Sequence, residues 1–589
     1  MHRRYRFLAC ALATSLLACQ PPAPANTTTP TAAAASTPSA PTTDPSLAFR
    51  EQADRWLDES LARHPARGVE LGLHAYDGKL PDASPDALAA EAKALHDARA
   101  RFEAIDPSTL DAIARVERGT LLQSIRGELF ELERRRQPWT NPMDYLGALD
   151  LTPYISRDYA PIDARAAAVI AIADGTAAYL AQAQANLEAA LPRTFVDTAL
   201  LQVRGTIAFV ATDVPAALQG LTPERGQALT TALAGMTTAL KAYEQFLVGR
   251  LAAATDDYAL GPERFAEMLR ETQGFDVSLE RLEQLGRADL ERNLAALREA
   301  AARIEPKRSV AQVIARIDRK RPTPSTVLAV ATAQADAMRR FVQEHAIVTI
   351  PSDDVAIVKD SPPFMRWNAA FLSGAGVFET AALPSFYYIS PPDPSWPKAQ
   401  QRAYVPTEPD LQFITIHEVW PGHFLHGLHM KANPSRVLRS HWNYAMGEGW
   451  AHYTEEMMWQ AGVSDDPVVH VGQLRHALLR DVRYLSALGL HTGGMTVAQS
   501  IAMFRAQAFQ DPANARQQAN RGTFDPMYLS YTLGKLAILK LRDDVEAKWK
   551  AQGKPFTLQA FHDALLGFGA APLPVIRQAL LGDDAGPVL

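Results

Sequence analysis

The run Thr415-Ile416-His417-Glu418-Val419-Trp420-Pro421-Gly422-His423 places two imidazoles and a carboxylate within one short stretch. Zinc peptidases commonly carry two histidines four apart on one helical face, with a glutamate beside the first as general base. Here the separation is six. At about 100° per residue, six steps leave the two rings about 120° apart on an ideal helix. An unbroken helix would not aim both at one ion. Pro421 breaks the hydrogen-bond ladder and Gly422 tolerates unusual dihedrals, so the sequence predicts a broken or bulged helix that brings His423 back toward His417. His417, His423, His426 and His429 lie close together in a chain with 15 histidines. That clustering favours a divalent-metal site over a solvated polar patch. His426 is spaced to pair with His423 or with His429, so it remains an alternative ligand.

A third ligand is expected on a separate helix. Gly447-Glu448-Gly449-Trp450-Ala451-His452-Tyr453-Thr454-Glu455-Glu456 offers one. Glu448 and Glu455 are seven apart and share a helical face. His452, four after Glu448, is a further candidate. Two imidazoles and one carboxylate would leave a position on a zinc ion open for water.

Outward from this motif the pattern is mostly helical. From about residue 47 to 345, leucines recur at helical spacing, as at Leu279, Leu282 and Leu285 and again at Leu290, Leu294 and Leu297. Short β-branched runs at Ala346–Ile350 and Val355–Lys359 read as strands, and so does Phe386-Tyr387-Tyr388-Ile389. Between them lies a glycine-rich turn, Ser373–Gly376, and after them a proline-rich loop from Pro391 to Pro409. A small sheet just before a His-Glu motif suggests an edge that receives an extended substrate backbone, with Tyr387 a candidate substrate contact. The expected division is a helical lobe over 47–345 and a catalytic lobe over 346–589.

The ends and the composition set further bounds. Arg3, Arg4 and Arg6 precede an apolar stretch from Phe7 to Leu17, the pattern of a secretory signal. Leu16-Leu17-Ala18-Cys19 resembles the bacterial lipobox. It implies a signal peptide over 1–18, lipidation of Cys19, and a Pro/Ala/Thr tether to residue 46 that is too poor in apolar groups to fold. Gln20 after the cysteine points to an outer-membrane anchor facing the periplasm. Cys10, the other of the 2 cysteines, lies in the leader, so the mature chain has no thiol for disulfides, thiolate ligands or a cysteine nucleophile. The net charge of −6 argues against nucleic-acid binding. Membrane contact is expected only through the lipid anchor.

The motifs carry a resemblance. HEVWPGH followed by GEGWAHYTEE resembles the bacterial family called domain of unknown function 885. The segment with Arg480, Arg483 and His491 and the segment with Tyr531, Gly534 and Arg542 resemble that family's later motifs. The family is similar in layout to the mostly helical gluzincin peptidases. The resemblance implies a mainly α, multi-helical, two-lobed gluzincin-like peptidase fold around a substrate channel, with a small β-sheet before the metal motif. It implies one zinc ion held by His417, His423 and Glu448, Glu418 as general base, and Glu455 behind the ligands. Tyr531 and His491 become oxyanion donors. The sequence departs from the pattern at His426, Ala487 and His452, where Gln, Asp and Leu are common.

The expected function is zinc-dependent hydrolysis of peptide bonds, with oligopeptides as substrates and Arg480 and Arg483 available for a substrate carboxylate. The competing expectations are a metallohydrolase of non-peptide amides or esters and a non-catalytic zinc-binding surface lipoprotein.

Overall fold

The computed structural model describes residues 44–362, 365, 369–582 and 585–589. Cys19 and the tether lie outside the described residues. Helices dominate the described chain. Three long ones, α1 (Ile162–Asn186), α2 (Arg193–Ala217) and α3 (Pro223–Arg250), form a bundle. Its own core runs from Val69 to Leu247 and includes Val169, Leu180, Val203, Met236 and Tyr243.

The leucine-rich segment forms α4 (Leu279–Ile304), capped by the Ser278 hydroxyl accepting from the Arg281 N–H. Leu282, Leu290 and Leu297 are buried along one face, as the spacing predicts. That face belongs to the largest core, which extends from Val116 through Trp450 to Ile576. The expected boundary at 345/346 therefore does not divide the core. Periodicity shows that a helix has an apolar face, but not which core receives it. Residues Pro45–Leu589 form one compact unit.

The small sheet has three strands: β1 (Ala356–Asp360), β2 (Ala370–Ser373) and β3 (Ser385–Ile389). β3 is central, parallel to β1 and antiparallel to β2. Two expectations change here. Ala346–Ile350 is not a strand. Ala346 has φ 45°, the Ile347 N–H bonds back to Val342 at the preceding helix end, and the carbonyls of Ile347 and Thr349 accept from His562 and His429. Its backbone is spent on a helix terminus and on side chains. The proline-rich loop also contains a short helix, Lys398–Tyr404.

Among the helices of the second half, α5 (Glu408–Glu418), α6 (His423–Ala432), α7 (Tyr444–Gln460), α8 (Pro467–Thr492) and α9 (Ser530–Ala551) surround the site. α4 packs on α8, α7 on α9, and α5 lies against α7, α8 and β2.

Candidate metal centre

Local sequence rules position the three ligand-bearing segments. The Thr407 side chain caps α5 by accepting from the Asp410 N–H, with Pro409 in the first turn. The helix ends at Glu418 because Pro421 cannot continue its ladder. In place of the regular bonds, the Trp420 N–H reaches Thr415 at 3.3 Å and the Gly422 N–H reaches back to Ile416 at 3.0 Å. A Cβ at Gly422 would lie 1.8 Å from the His417 carbonyl oxygen, so only glycine permits so tight a return. Trp450 Nε1–H donates to the Pro421 carbonyl at 2.9 Å and holds the turn from α7. α6 then starts at His423. The predicted break is present, and the His417 and His423 rings meet edge to face with centroids 4.7 Å apart.

α7 supplies the carboxylate. The Asn443 side chain caps it through the Met446 N–H. One turn on, Glu448 Oε2 lies 3.4 Å from His417 Nε2 and 3.3 Å from His423 Nε2. Ligand atoms on His417, His423 and Glu448 all fall within 4.8 Å of one another. Two ligands about 2.05 Å from a tetrahedral zinc ion are themselves about 3.3 Å apart, so the two measured separations fit such an ion. Glu448 Oε2 is buried without a hydrogen-bond partner among the described residues. Buried polar atoms of this kind call for a partner, and a divalent cation is one that both imidazole nitrogens and the carboxylate oxygen can share.

The surroundings orient the ligands. His417 Nδ1–H donates to Glu455 Oε1 at 2.8 Å, which leaves Nε2 to face Glu448. Arg480 Nη2 lies 3.1 Å from the same Glu455 oxygen. Burial alone would lower the His417 pKa, but the nearby Glu448 carboxylate and the bond to Glu455 prevail and hold it at about 9. Burial disfavours the charge on Glu448, and the two neighbouring histidines outweigh it, keeping the carboxyl well below the usual range. Glu455 is held low in the same direction, against burial, chiefly by the Arg480 charge.

Glu418 and Tyr531 flank this cluster. Glu418 Oε2 accepts from the Leu372 N–H at 3.0 Å. The Ser390 N–H to Ala369 carbonyl bond of 2.8 Å sets the strand parity. Ala370 and Leu372 therefore turn their N–H groups away from β3, along the free edge of β2. The sequence does not reveal this edge, because Ala370-Phe371-Leu372-Ser373 is too short and uniform to show a period of two. Tyr531 lies nearly parallel to His417, at 6.3 Å and 18°. It gets there because Gly449 on α7 meets Gly534 on α9: a Cβ at Gly449 would be 2.5 Å from Gly534 Cα. Tyr531 sits one turn before that contact, which accounts for the Tyr-x-x-Gly spacing.

Other expected site residues lie elsewhere. His491 donates from Nε2 to the Gly522 carbonyl at 2.7 Å and accepts the Leu260 N–H on Nδ1. Burial holds it neutral, down to about 4. With both nitrogens committed to backbone, it has no donor for an oxyanion. Tyr387 is fully buried on the central strand, its hydroxyl 3.2 Å from the Thr415 hydroxyl, so it presents nothing to a substrate. His426 is sealed under α6 with Nε2 donating to Gly569, and burial pushes it down to about 3. It is not among the converging ligands. His452 is buried, 3.6 Å from Glu455 and outside the ligand group. Arg480 is committed to Glu455 and to the His476 carbonyl, leaving it no fork for a substrate. Arg483, by contrast, stays beside the site: only its Nε is bonded, to Gln518, and its guanidinium stands over the Tyr531 ring.

Trp442 is the residue that sequence reasoning missed. It is 48% exposed, with its ring 6.0 Å from His423 and 5.7 Å from His426. A Cβ at Gly447 would strike that ring at 2.1 Å. Nothing in a sequence separates an exposed tryptophan from a buried one.

Among curated proteins none matches. A solved structure from Shewanella oneidensis, described as a lipoprotein of unknown function, has a TM-score of 0.76 at 22% identity, over 90% of this chain and 99% of that one. A second, described as a lipoprotein from Colwellia psychrerythraea, has a TM-score of 0.71 at 18% identity, over 91% and 98%. These likenesses establish the fold. Residues 65–580 match the family described as bacterial protein of unknown function (DUF885), and the chain belongs to that family.

Proposed function

We propose that the protein is a zinc-dependent metallopeptidase of the bacterial cell envelope. The observation that carries this reading is the convergence of His417, His423 and Glu448 beside Glu418, whose carboxylate reaches the free edge of β2. A zinc ion bound there supplies Lewis acidity, which activates water and polarises a carbonyl. Glu418 takes the water proton and delivers it to the departing amine. The outward N–H groups of β2 offer an extended peptide a strand to pair with. When a peptide occupies that edge, it competes with Glu418 for the Leu372 N–H and frees the carboxylate. Tyr531 is held beside His417 and Glu448 to donate to the developing oxyanion, an effect of about 3 kcal/mol in such sites. Burial holds its hydroxyl protonated by raising its pKa.

The layout of a broken ligand helix, a glutamate-bearing second helix and a short sheet edge is similar to the helical gluzincin peptidases and supports oligopeptide substrates. The lipobox-like Leu16–Cys19 and the two solved structures described as lipoproteins support a lipid anchor, with the body facing the periplasm.

Glu418→Gln tests the reading. The variant is expected to bind zinc as the unmodified protein does and to lose at least about 1000-fold in hydrolysis of a peptide pool, a scale typical for loss of a general base and its water. Undiminished turnover would remove Glu418 from its role.

A further inference from the structure

Three arginines, Arg480, Arg483 and Arg521, surround Tyr531. Two have acid partners: Arg480 pairs with Glu455 and Arg521 with Asp525. Arg483 has none among the described residues. Its Nε donates to Gln518 Oε1 at 2.8 Å, and its guanidinium carbon stands 5.0 Å over the Tyr531 ring. It is only 9% exposed, and burial together with the neighbouring Arg521 cation works against its charge. A buried guanidinium without an anion is costly, and its planar fork matches a carboxylate.

The local charges point the same way. Glu418, Glu448 and Glu455 are balanced by a bound dication and Arg480, and the positive charge of Arg483 is left over. The Tyr531 ring touches both groups: the Arg483 guanidinium carbon stands 5.0 Å from it and the His417 ring 6.3 Å. In a peptide bound for cleavage of its last bond, the terminal carboxylate lies one residue, about 3.8 Å of chain, beyond the scissile carbonyl. A cation that shares the Tyr531 ring with His417 is near enough to the proposed metal site to be considered for that carboxylate.

We propose that Arg483 holds the free C-terminal carboxylate of a peptide, so that the site releases residues from the C-terminus. Hydrolysis splits the last peptide bond, with water's hydroxyl going to the carbonyl carbon and its proton to the departing amine. The proposal rests on the peptidase reading above and narrows its substrates to peptides with a free terminus.

The test uses the full chain, zinc-loaded and carrying Glu418→Gln to stop turnover. Calorimetry compares one N-acetylated tripeptide as its free acid, as its C-terminal amide, and as an amide with glutamate in the last position. The free acid is expected to bind at least tenfold tighter than either amide. Arg483→Met is expected to erase that preference and Arg483→Lys to keep part of it. The acid-to-amide comparison needs no change at Arg483, so it stands even if those variants fold poorly. Equal affinity for acid and amide overturns the proposal, and so does a glutamate amide that binds as well as the acid. With Glu418 intact, equal hydrolysis of acid and amide overturns the role of Arg483 and leaves the peptidase reading in place. An acid preference without any hydrolysis overturns the peptidase reading and terminal release together, and leaves Arg483 as a carboxylate-binding group only.

Discussion

At the proposed metal site, His417 would couple protons to metal binding. Its Nδ1–H is fixed on Glu455 and its Nε2 points at Glu448. These carboxylates raise its pKa to about 9 in the ion-free protein. Zinc must displace that proton. The sign follows: below pH 9 the proton competes, so zinc affinity rises with pH, by about tenfold per unit between pH 7 and 9, and flattens above. Titrating zinc affinity at fixed ionic strength checks this, and a flat profile from pH 6 to 9 would contradict it. At this scale the sequence was informative where chemistry needs a residue type at a spacing. It located His417, His423, Glu448 and Glu455. It was silent on partners, and so it offered His491 and Tyr387 for roles that their backbone bond and burial deny them. A histidine or tyrosine in a helix or strand does not announce what its polar atoms face.

The decisive element is the break between α5 and α6. Pro421 and Gly422 made it legible, because an ideal helix cannot place residues six apart on one ion. Gly422 is the more exacting of the two, since a methyl there overlaps the His417 carbonyl. Gly422→Ala is therefore expected to lower zinc affinity by about 10–100-fold, the scale seen when ligand orientation is disturbed, while far-ultraviolet circular dichroism stays helical. Unchanged affinity would show that the turn can be made without glycine. β2 was not legible for a different reason. A four-residue edge strand gains its identity from pairing with β3, a long-range contact that local periodicity does not encode.

Across the molecule, α4, α7 and α9 are tied together by the buried Lys535, Asp289 and Glu456 and the exposed Arg292. Lys535 Nζ lies 2.5 Å from Asp289 and 3.3 Å from Glu456, and Arg292 bonds Glu456 at 2.8 Å. These links join helices from both sides of the expected lobe boundary, so the core and the charge network agree that residues 279–304 pack with the half that carries the candidate metal site. Lys535→Met leaves Asp289 and Glu456 buried with one cation fewer. It is expected to cost about 3–5 kcal/mol in chemical denaturation, and a loss under 1 kcal/mol would argue against a structural role for the network. Glu448 rides on α7 next to the Gly449–Gly534 contact, two turns before Glu456. Metal analysis of the purified protein and of Glu448→Ala after equilibration with zinc shows whether His417, His423 and Glu448 hold one metal ion. One equivalent of zinc in the protein and less than about a tenth in the variant at sub-micromolar free zinc is the predicted result; full occupancy in Glu448→Ala would contradict it.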